Sequence, residues 1–189
     1  DAFFGQGGNT DLRLTGPVAL GANIERTLNV VSGNRVVTLS GAVTGTGSAG
    51  LIAAGGGYLR LTNPSNSYTG NTVVEGGLLG LTQATLADAS KLNLTSGAGL
   101  ALSHTASDVI DSLYIDDVLQ PAGVYGAVGS GAEREVAWIT GTGRLAVTHG
   151  AVLSNFANWI AGYALGGLSG FGDDPDGDGL DNGLENLFG

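Results

Sequence analysis

The chain lacks cysteine altogether and has few basic residues, and these two absences exclude several classes of protein. Without cysteine there can be no disulfide, no thiolate metal site and no cysteine nucleophile. Seven Lys and Arg residues stand against 17 Asp and Glu, which gives a formal net charge of -10. Because nucleic-acid binding depends on basic side chains that neutralise phosphates, no nucleic-acid partner is expected.

Long apolar runs and a leader sequence are also absent. No run approaches the ~20 apolar residues that a membrane span needs, so none is expected. The first residue is Asp1, without a charged and then apolar leader before it, which favours an exported protein with its signal removed or a trimmed chain. Only 13% of residues are charged, and Ser, Thr, Asn and Gly dominate the polar positions. This composition is typical of extracellular bacterial β-proteins.

Patterns that would mark an enzyme are missing as well. There is no serine elbow, phosphate-binding loop or metalloprotease motif, and a non-enzymatic protein is predicted. His104 and His149 lie in separate segments with no acidic or nucleophilic partner, so both are expected at the surface. One acidic cluster outside the tail has no Lys or Arg beside it, which favours a structural loop over a catalytic or glycan-binding one. Its members are Asp108, Asp111, Asp116 and Asp117.

Glycine is abundant, with 35 residues against a usual share of about 7%. These glycines follow no three-residue period, so collagen is excluded and corner positions are favoured. Short alternating apolar segments are interrupted by glycine-rich breaks every roughly 6–12 residues, a spacing that indicates many short strands. The sequence predicts an all-β fold.

The clearest unit is residues 55–82, GGGYLRLTNPSNSYTGNTVVEGGLLGLT. Residues 58–62 and 78–82 place Leu at alternate positions, as a half-buried strand requires. Residues 63–67 supply Asn, Pro and Ser for a turn. Gly70 and the pair at 76–77 allow sharp corners. The unit is therefore strand, turn, strand.

This unit resembles the autotransporter-associated β-strand repeat of large secreted bacterial surface proteins. The resemblance implies a right-handed β-solenoid, in which each coil lays its strands on those of the previous coil, and it implies no catalytic activity. Residues 112–125 and 138–148 resemble the closing segment of the same proteins, except that Asp117 stands where Gly is common. The matching residues of the repeat are Gly57, Leu59, Leu61, Asn66, Tyr68, Thr69, Gly70, Thr72, Val73, Val74, Gly76, Gly77, Leu78 and Leu79.

From residue 154 the period changes from that of strands to that of a helix. Ser154 is a plausible N-cap and the glycines at 166–167 a stop. The apolar face of this helix is expected to cover the last coil of the solenoid, with docking on another subunit as the alternative. Two domains follow, a solenoid at 1–150 and a capping helix with a tail at 151–189. The apolar face at i, i+3, i+4 and i+7 is Phe156, Trp159, Ile160 and Tyr163.

The tail carries the sequence DPDGDGLDNGLE at 174–185, which has the spacing of a calcium loop. Carboxylates occupy its first, third and fifth positions, Gly179 permits the sharp turn, and a glutamate closes the sphere. Without a cation these carboxylates would repel one another. The predicted calcium ligands are Asp174, Asp176, Asp178, the Leu180 carbonyl, Asn182 and Glu185.

Over these twelve residues the loop resembles those of the thrombospondin type 3 and dockerin families. It departs from an EF-hand because the preceding helix ends too early and because Asp181 occupies an aliphatic position. Extracellular loops of this kind bind calcium weakly, with Kd ~10⁻⁴ to 10⁻³ M. A structural role is expected, in which calcium locks the tail against the helix at Trp159.

Three classes of function compete. The leading hypothesis is an extracellular structural protein whose unlike ends, with Phe3 and Phe4 near one of them, join head to tail into a filament or sheet. The alternative is an adhesin or glycan-binding segment of a larger surface protein, which a contiguous groove of Tyr and Asp would favour. A polysaccharide-active enzyme would need clustered catalytic side chains. Candidate sugar-stacking residues are Tyr58, Tyr68, Tyr114 and Tyr125, although the resemblance to the repeat favours corner filling for these tyrosines.

Overall fold

The computed structural model describes residues 3–6, 10–151, 160, 168, 170–182 and 185. Two compact units divide the chain, Asp1–Gly150 and Ala151–Gly189. The elements in the described part of the first unit are all strands, as an all-β fold requires. In chain order they are β1 (Phe3–Gln6), β2 (Leu12–Leu14), β3 (Val18–Ala22), β4 (Glu25–Val30), β5 (Val36–Leu39), β6 (Val43–Thr46), β7 (Gly50–Ala54), β8 (Tyr58–Leu61), β9 (Thr72–Val74), β10 (Leu78–Leu81), β11 (Lys91–Leu94), β12 (Gly99–Leu102), β13 (Ser107–Ile110), β14 (Ser112–Ile115), β15 (Val118–Leu119), β16 (Gly123–Ala127), β17 (Arg134–Val136), β18 (Ile139–Gly141) and β19 (Arg144–Val147).

Two stacks of parallel strands form the solenoid. A seven-stranded sheet has the order β1-β4-β7-β9-β11-β14-β15, and a six-stranded sheet has the order β2-β5-β8-β10-β12-β18. Each coil contributes one strand to each of these sheets, and the coils make about five turns. The predicted β-solenoid is therefore confirmed, and β8 and β10 are the two strands predicted within residues 55–82. The predicted turn between them was incomplete, because it also contains β9, which belongs to the seven-stranded sheet.

A ladder of leucines runs through the inside of the six-stranded sheet. Leu59 lies opposite Leu79, and Leu79 opposite Leu100, with exposed fractions of 2%, 0% and 0%. Because a strand alternates its faces, the same register that stacks these side chains inward turns Tyr58 and Arg60 outward. Burying one such leucine contributes roughly 1.5–3 kcal/mol, so the repeated ladder is the main source of stability.

The corners are joined from coil to coil by side chains that bind backbone. The Val43 N–H donates to Asn66 Oδ1 at 2.9 Å, and the Lys91 N–H donates to Asn71 Oδ1 at 3.0 Å. Glycine allows close stacking there, because a Cβ on Gly70 would lie 2.5 Å from the backbone of the preceding coil. These contacts hold successive coils in register.

Beyond β14 the chain mixes antiparallel with parallel pairings, since β18 and β19 still pair parallel with β12 and β13. β15 turns back antiparallel on β14 through a two-residue turn at Asp116 and Asp117, both with positive φ, 49° and 62°. β16 is antiparallel to β19 in a four-stranded sheet of order β13-β19-β16-β17. The Tyr125 ring lies 6.1 Å from that of Trp138, and its hydroxyl donates to Pro121 O at 2.7 Å. The segments predicted to close the solenoid thus keep parallel pairings to earlier coils through β14, β18 and β19, and add antiparallel pairings at β14–β15 and β16–β19.

The predicted capping helix falls largely outside the described residues. Phe156, Trp159 and Tyr163 are not among them, so the helix stays a prediction. Where the structure does describe the chain, it contains no helix with the length and apolar character that crossing a membrane requires.

Candidate functional site

The predicted calcium loop brings three carboxylates together. Oxygens of Asp174, Asp176 and Asp178 all lie within 4.8 Å of one another, and all three side chains are exposed. Calcium binds oxygen at about 2.3–2.6 Å, so two oxygens on one ion are separated by no more than about twice that distance. The spacing therefore fits a single calcium ion bound by all three.

Backbone geometry holds these carboxylates in place. Gly177 and Gly179 have φ of 74° and 92°, values that a residue with a Cβ rarely adopts. The N–H groups of both glycines donate to the two oxygens of Asp174, at 2.8 and 3.0 Å. The Leu180 N–H donates to Asp178 Oδ1 at 2.8 Å. The chain itself thus wraps around the carboxylate cluster.

The remaining predicted ligands have different surroundings. Asn182 is fully buried, and its amide donates to the carbonyl oxygens of Leu168 and Gly170 at 3.1 and 2.9 Å, while its Oδ1 has no partner. Glu185 is not part of the cluster of three, but loss of solvent and repulsion from Asp176 and the neighbouring aspartates raise its pKa. Bound calcium would relieve that repulsion. The donors fit the ion, and the site remains a prediction.

The acidic residues outside the tail do not form one catalytic face. Asp108 is 2% exposed and accepts hydrogen bonds from the Thr85 and Leu86 N–H groups. Burial raises the pKa of its carboxyl to about 6, although these two N–H groups oppose the shift. Asp111 contacts His149 at 2.8 Å, and Asp116 accepts the Ser96 N–H at 2.7 Å. The Asn93 amide donates to Asp117 at 2.6 Å, so all four have structural partners, in line with the structural-loop prediction.

Two of the candidate sugar-stacking tyrosines and one of the two histidines expected at the surface are buried. Tyr68 and Tyr125 are only 1% and 4% exposed, so neither can stack against a sugar. His104 is 9% exposed, and burial lowers its pKa. It fills the space left by Gly143, where a Cβ would lie 2.6 Å from the imidazole. The surface prediction for His104 was wrong, because it packs against a part of the fold distant in sequence. The burial of Tyr68 and Tyr125 agrees with the favoured filling role and excludes them from sugar stacking.

The other two tyrosines are half-buried and lie on different sheets. Arg60 lies over the Tyr58 ring, with 5.6 Å between its Cζ and the centroid. Lys91 lies over the Tyr114 ring, with 5.7 Å between its Nζ and the centroid. Only Tyr114 among these two lines the groove described next.

This groove lies on the outer face of the seven-stranded sheet and has a volume of about 360 Å³. The prediction from sequence identified two of its residues, Tyr114 and Asp117, but missed the others. Several of these residues stand at equivalent positions of successive coils, because Val73 pairs with Asn93 and Asn93 with Tyr114 in the parallel ladder. The spacing of about 20 residues between equivalent positions was the sequence signal that could have identified them. The lining residues are Glu25, Asn71, Thr72, Val73, Lys91, Asn93, Tyr114 and Asp117.

Comparison with known proteins gives one informative similarity. Over 177 residues the chain is 32% identical to the adhesin BmaC autotransporter of Brucella suis biovar 1 (strain 1330). The match covers 85% of this chain, and the chain spans only 5% of that protein's length. No protein-family model matches the chain, and no solved structure matches it significantly. Together, the solenoid and this similarity support an autotransporter-related β-repeat protein.

Proposed function

We propose that the chain is a segment of a secreted bacterial surface adhesin that acts without catalysis. The observation that carries this proposal is the similarity to an autotransporter adhesin over 85% of the chain, in a protein whose described coils form a continuous β-solenoid. Stacked coils present rows of outward side chains about 4.8 Å apart on a rigid backbone. Such a surface suits recognition of an extended ligand.

Adhesion of the chain itself tests this proposal. Latex beads coated with the purified chain are expected to bind cultured epithelial cells saturably, and soluble chain is expected to compete. Beads coated with serum albumin provide the background. Binding no greater than that background, or binding that excess soluble chain does not reduce, would contradict an adhesive role.

The tail is proposed to bind one calcium ion with a structural role. Asp174, Asp176 and Asp178 would supply side-chain oxygens, and Glu185 would close the sphere after a small movement towards them. The convergence of three carboxylate oxygens within 4.8 Å supports this role. Loss of charge repulsion on binding would stabilise the tail.

Calorimetric titration with calcium chloride tests the loop directly. We expect one site with Kd ~10⁻⁴ to 10⁻³ M. The D176N/D178N variant should lose it, because each amide offers one neutral oxygen in place of a carboxylate. D88N is the matched control, since Asp88 is exposed and belongs to the solenoid. Equal calcium affinity in both variants would place the ion elsewhere.

Self-assembly is a second candidate function, favoured by the open edge of the first coil. In the described residues β2 pairs only with β5, and β3 only with β6, so the outer edges of β2 and β3 have no strand beside them. Unpaired edges template further strands. A second copy docking head to tail would repeat this contact into a filament.

Negative-stain electron microscopy in millimolar calcium, with a parallel sample in excess chelator, tests assembly. Filaments in calcium that fray in chelator would support self-assembly controlled by the tail. Filaments in both samples would support assembly without calcium control. Dispersed monomers in both would reject the filament and leave the adhesin proposal intact.

A further inference from the structure

We propose that the outer groove of the seven-stranded sheet binds a neutral oligosaccharide. This inference rests on the proposed adhesin function and names the ligand class for it. The groove has the two features that saccharide binding requires, an aromatic ring and several hydrogen-bonding groups. Tyr114 provides an aromatic ring, and the surrounding side chains provide hydrogen-bond donors and acceptors. Sugar hydroxyls both donate and accept, and the C–H face of a pyranose packs on aromatic rings.

The charges of the groove decide against an acidic ligand. Glu25 and Asp117 contribute two carboxylates, whereas Lys91 contributes the single ammonium group of the lining. The whole chain is also acidic, with a net charge of -10. A uronic or sialic acid polymer would therefore meet net repulsion. A neutral sugar meets none, and it can accept hydrogen bonds from Lys91 and donate to the carboxylates.

One acceptor in the groove wall has no partner. The Asn93 amide nitrogen donates to Asp117 Oδ1 at 2.6 Å, but Asn93 Oδ1 is buried and makes no hydrogen bond. Buried polar atoms are almost always hydrogen-bonded, so an unpaired one needs an explanation. A ligand hydroxyl that reaches this oxygen, after a small movement of the side chains around it, would supply the missing donor.

Asp117 occupies a position where glycine is favoured by the backbone. It is the second residue of the turn between β14 and β15, where both residues have positive φ and a pair such as Asn-Gly is preferred. The carboxylate is nevertheless present and lies in the groove. Residues held in unfavourable backbone conformations cluster at functional sites. A ligand-binding carboxylate explains why an aspartate stands here.

The direction of the groove fits a chain of sugars. Its walls come from β4, from β9 and the residue before it, and from β11 and β14, so it crosses strands that lie about 4.8 Å apart. One sugar unit of an extended glycan has a similar length. Successive units would then meet side chains of successive coils.

An array of oligosaccharides, probed with the full chain, tests the proposal. The array carries neutral hexose and N-acetylhexosamine oligomers, with sialylated and uronic oligomers as separate spots. We expect binding to a subset of the neutral spots, followed by calorimetric titration with the best one. Tyr114→Ala should weaken that affinity at least about tenfold, because the stacking ring is lost. Tyr58→Ala is the matched control, because Tyr58 is also half-buried beside a basic side chain, Arg60, but lies on the six-stranded sheet, away from the groove. The sugar affinity of this variant should equal that of the wild type.

A second variant separates binding from folding. Asp117→Gly removes the carboxylate but suits the positive φ, so its melting temperature should not fall while its sugar affinity does. The proposal is overturned by an array without bound neutral spots, by preference for acidic spots, or by equal losses in the Tyr114 and Tyr58 variants. If beads coated with Tyr114→Ala or Asp117→Gly adhere to cells like wild-type beads, the adhesin proposal is kept and the proposal that the groove binds the ligand is rejected. Sugar binding by a chain whose beads fail to adhere would reject the adhesin instead.

Discussion

At the N-terminal end of the solenoid, β1, β2 and β3 are each the last described strand of a parallel sheet. At its C-terminal end the six-stranded sheet also finishes with a parallel strand, β18, but the seven-stranded sheet finishes with the antiparallel strand β15. The side chains differ accordingly. Leu12 and Leu14 of β2 are half-buried, but their partners one coil later, Val37 and Leu39, are both 1% exposed. One more coil would complete the burial of β2.

This difference shows how a parallel solenoid is ended. A parallel edge presents the same hydrogen-bonding pattern as every interior strand, so another coil can add to it in register. A hairpin reverses the chain and offers an antiparallel edge that the next parallel coil does not match. The β14–β15 hairpin thus ends the seven-stranded sheet with an antiparallel strand, whereas the first described coil keeps parallel edges at β2 and β3.

The largest expected contrast is in core truncation at the two ends. Leu145→Ala should lower the free energy of unfolding by about 2–5 kcal/mol, because Leu145 is 0% exposed in β19 and its removal leaves a cavity. Leu12→Ala should cost only about 1 kcal/mol, because half of that side chain already contacts water. Urea denaturation followed by circular dichroism measures both. Equal losses would mean that the N-terminal edge is covered in solution.

A smaller effect should appear in the pH dependence of stability. Burial raises the pKa of Asp108 to about 6, above its value in the unfolded chain, so the folded state binds the proton more tightly. The contribution of Asp108 to the free energy of unfolding should therefore be fully present below about pH 4, and roughly 2–3 kcal/mol of it should be lost as pH rises through 6. Asp108→Asn should flatten this slope, as urea midpoints at several pH values would show.

Asp11→Asn is the matched control for that experiment at the open end. Asp11 also accepts a backbone N–H, from Val36 at 2.9 Å, but it is exposed. Because Asp108 is still present, this variant should keep the wild-type slope. A slope that survives in Asp108→Asn would assign the pH dependence to another group.

The smallest effect is expected in the turns. D116N/D117G should stabilise the hairpin by at most about 0.5–1 kcal/mol. The Asn-Gly pair suits two positive φ values and the Asn oxygen still accepts the Ser96 N–H, and this gain should exceed the loss of the exposed hydrogen bond from Asn93 to Asp117. At the other end Asn23 also has a positive φ, 53°, and accepts the Ser48 N–H at 3.1 Å. Asn23→Gly should destabilise slightly, because it loses that acceptor and asparagine already tolerates the conformation. Thermal denaturation that gives the same sign for both variants would contradict this account.

Local pattern was enough to predict the strands. Alternating Leu at 59 and 61, and again at 79 and 81, predicts strands whose inner faces are apolar, and the structure pairs them directly. Tyr68 shows where local pattern is insufficient. Its neighbours are turn residues, yet it is 1% exposed, and its hydroxyl lies 2.9 Å from that of Thr72. Burial at a corner depends on which coil lies above and below.

The candidate sites divide in the same way. The predicted calcium ligands fall within twelve consecutive residues, so their spacing alone brings three of them together. The groove instead combines residues from Glu25 to Asp117. These become neighbours only when parallel coils stack about 4.8 Å apart.

The sequence by itself therefore determined what depends on neighbours along the chain, namely strand alternation, glycine corners and the acidic loop. Tertiary structure alone decided what depends on the register between coils. That register buries His104, Tyr68 and Tyr125, leaves the edge of β2 open, and places Tyr114 beside Asn93 in an outward row. The physical reason is that side chains about 20 residues apart meet only after each coil has closed and stacked on the one before it.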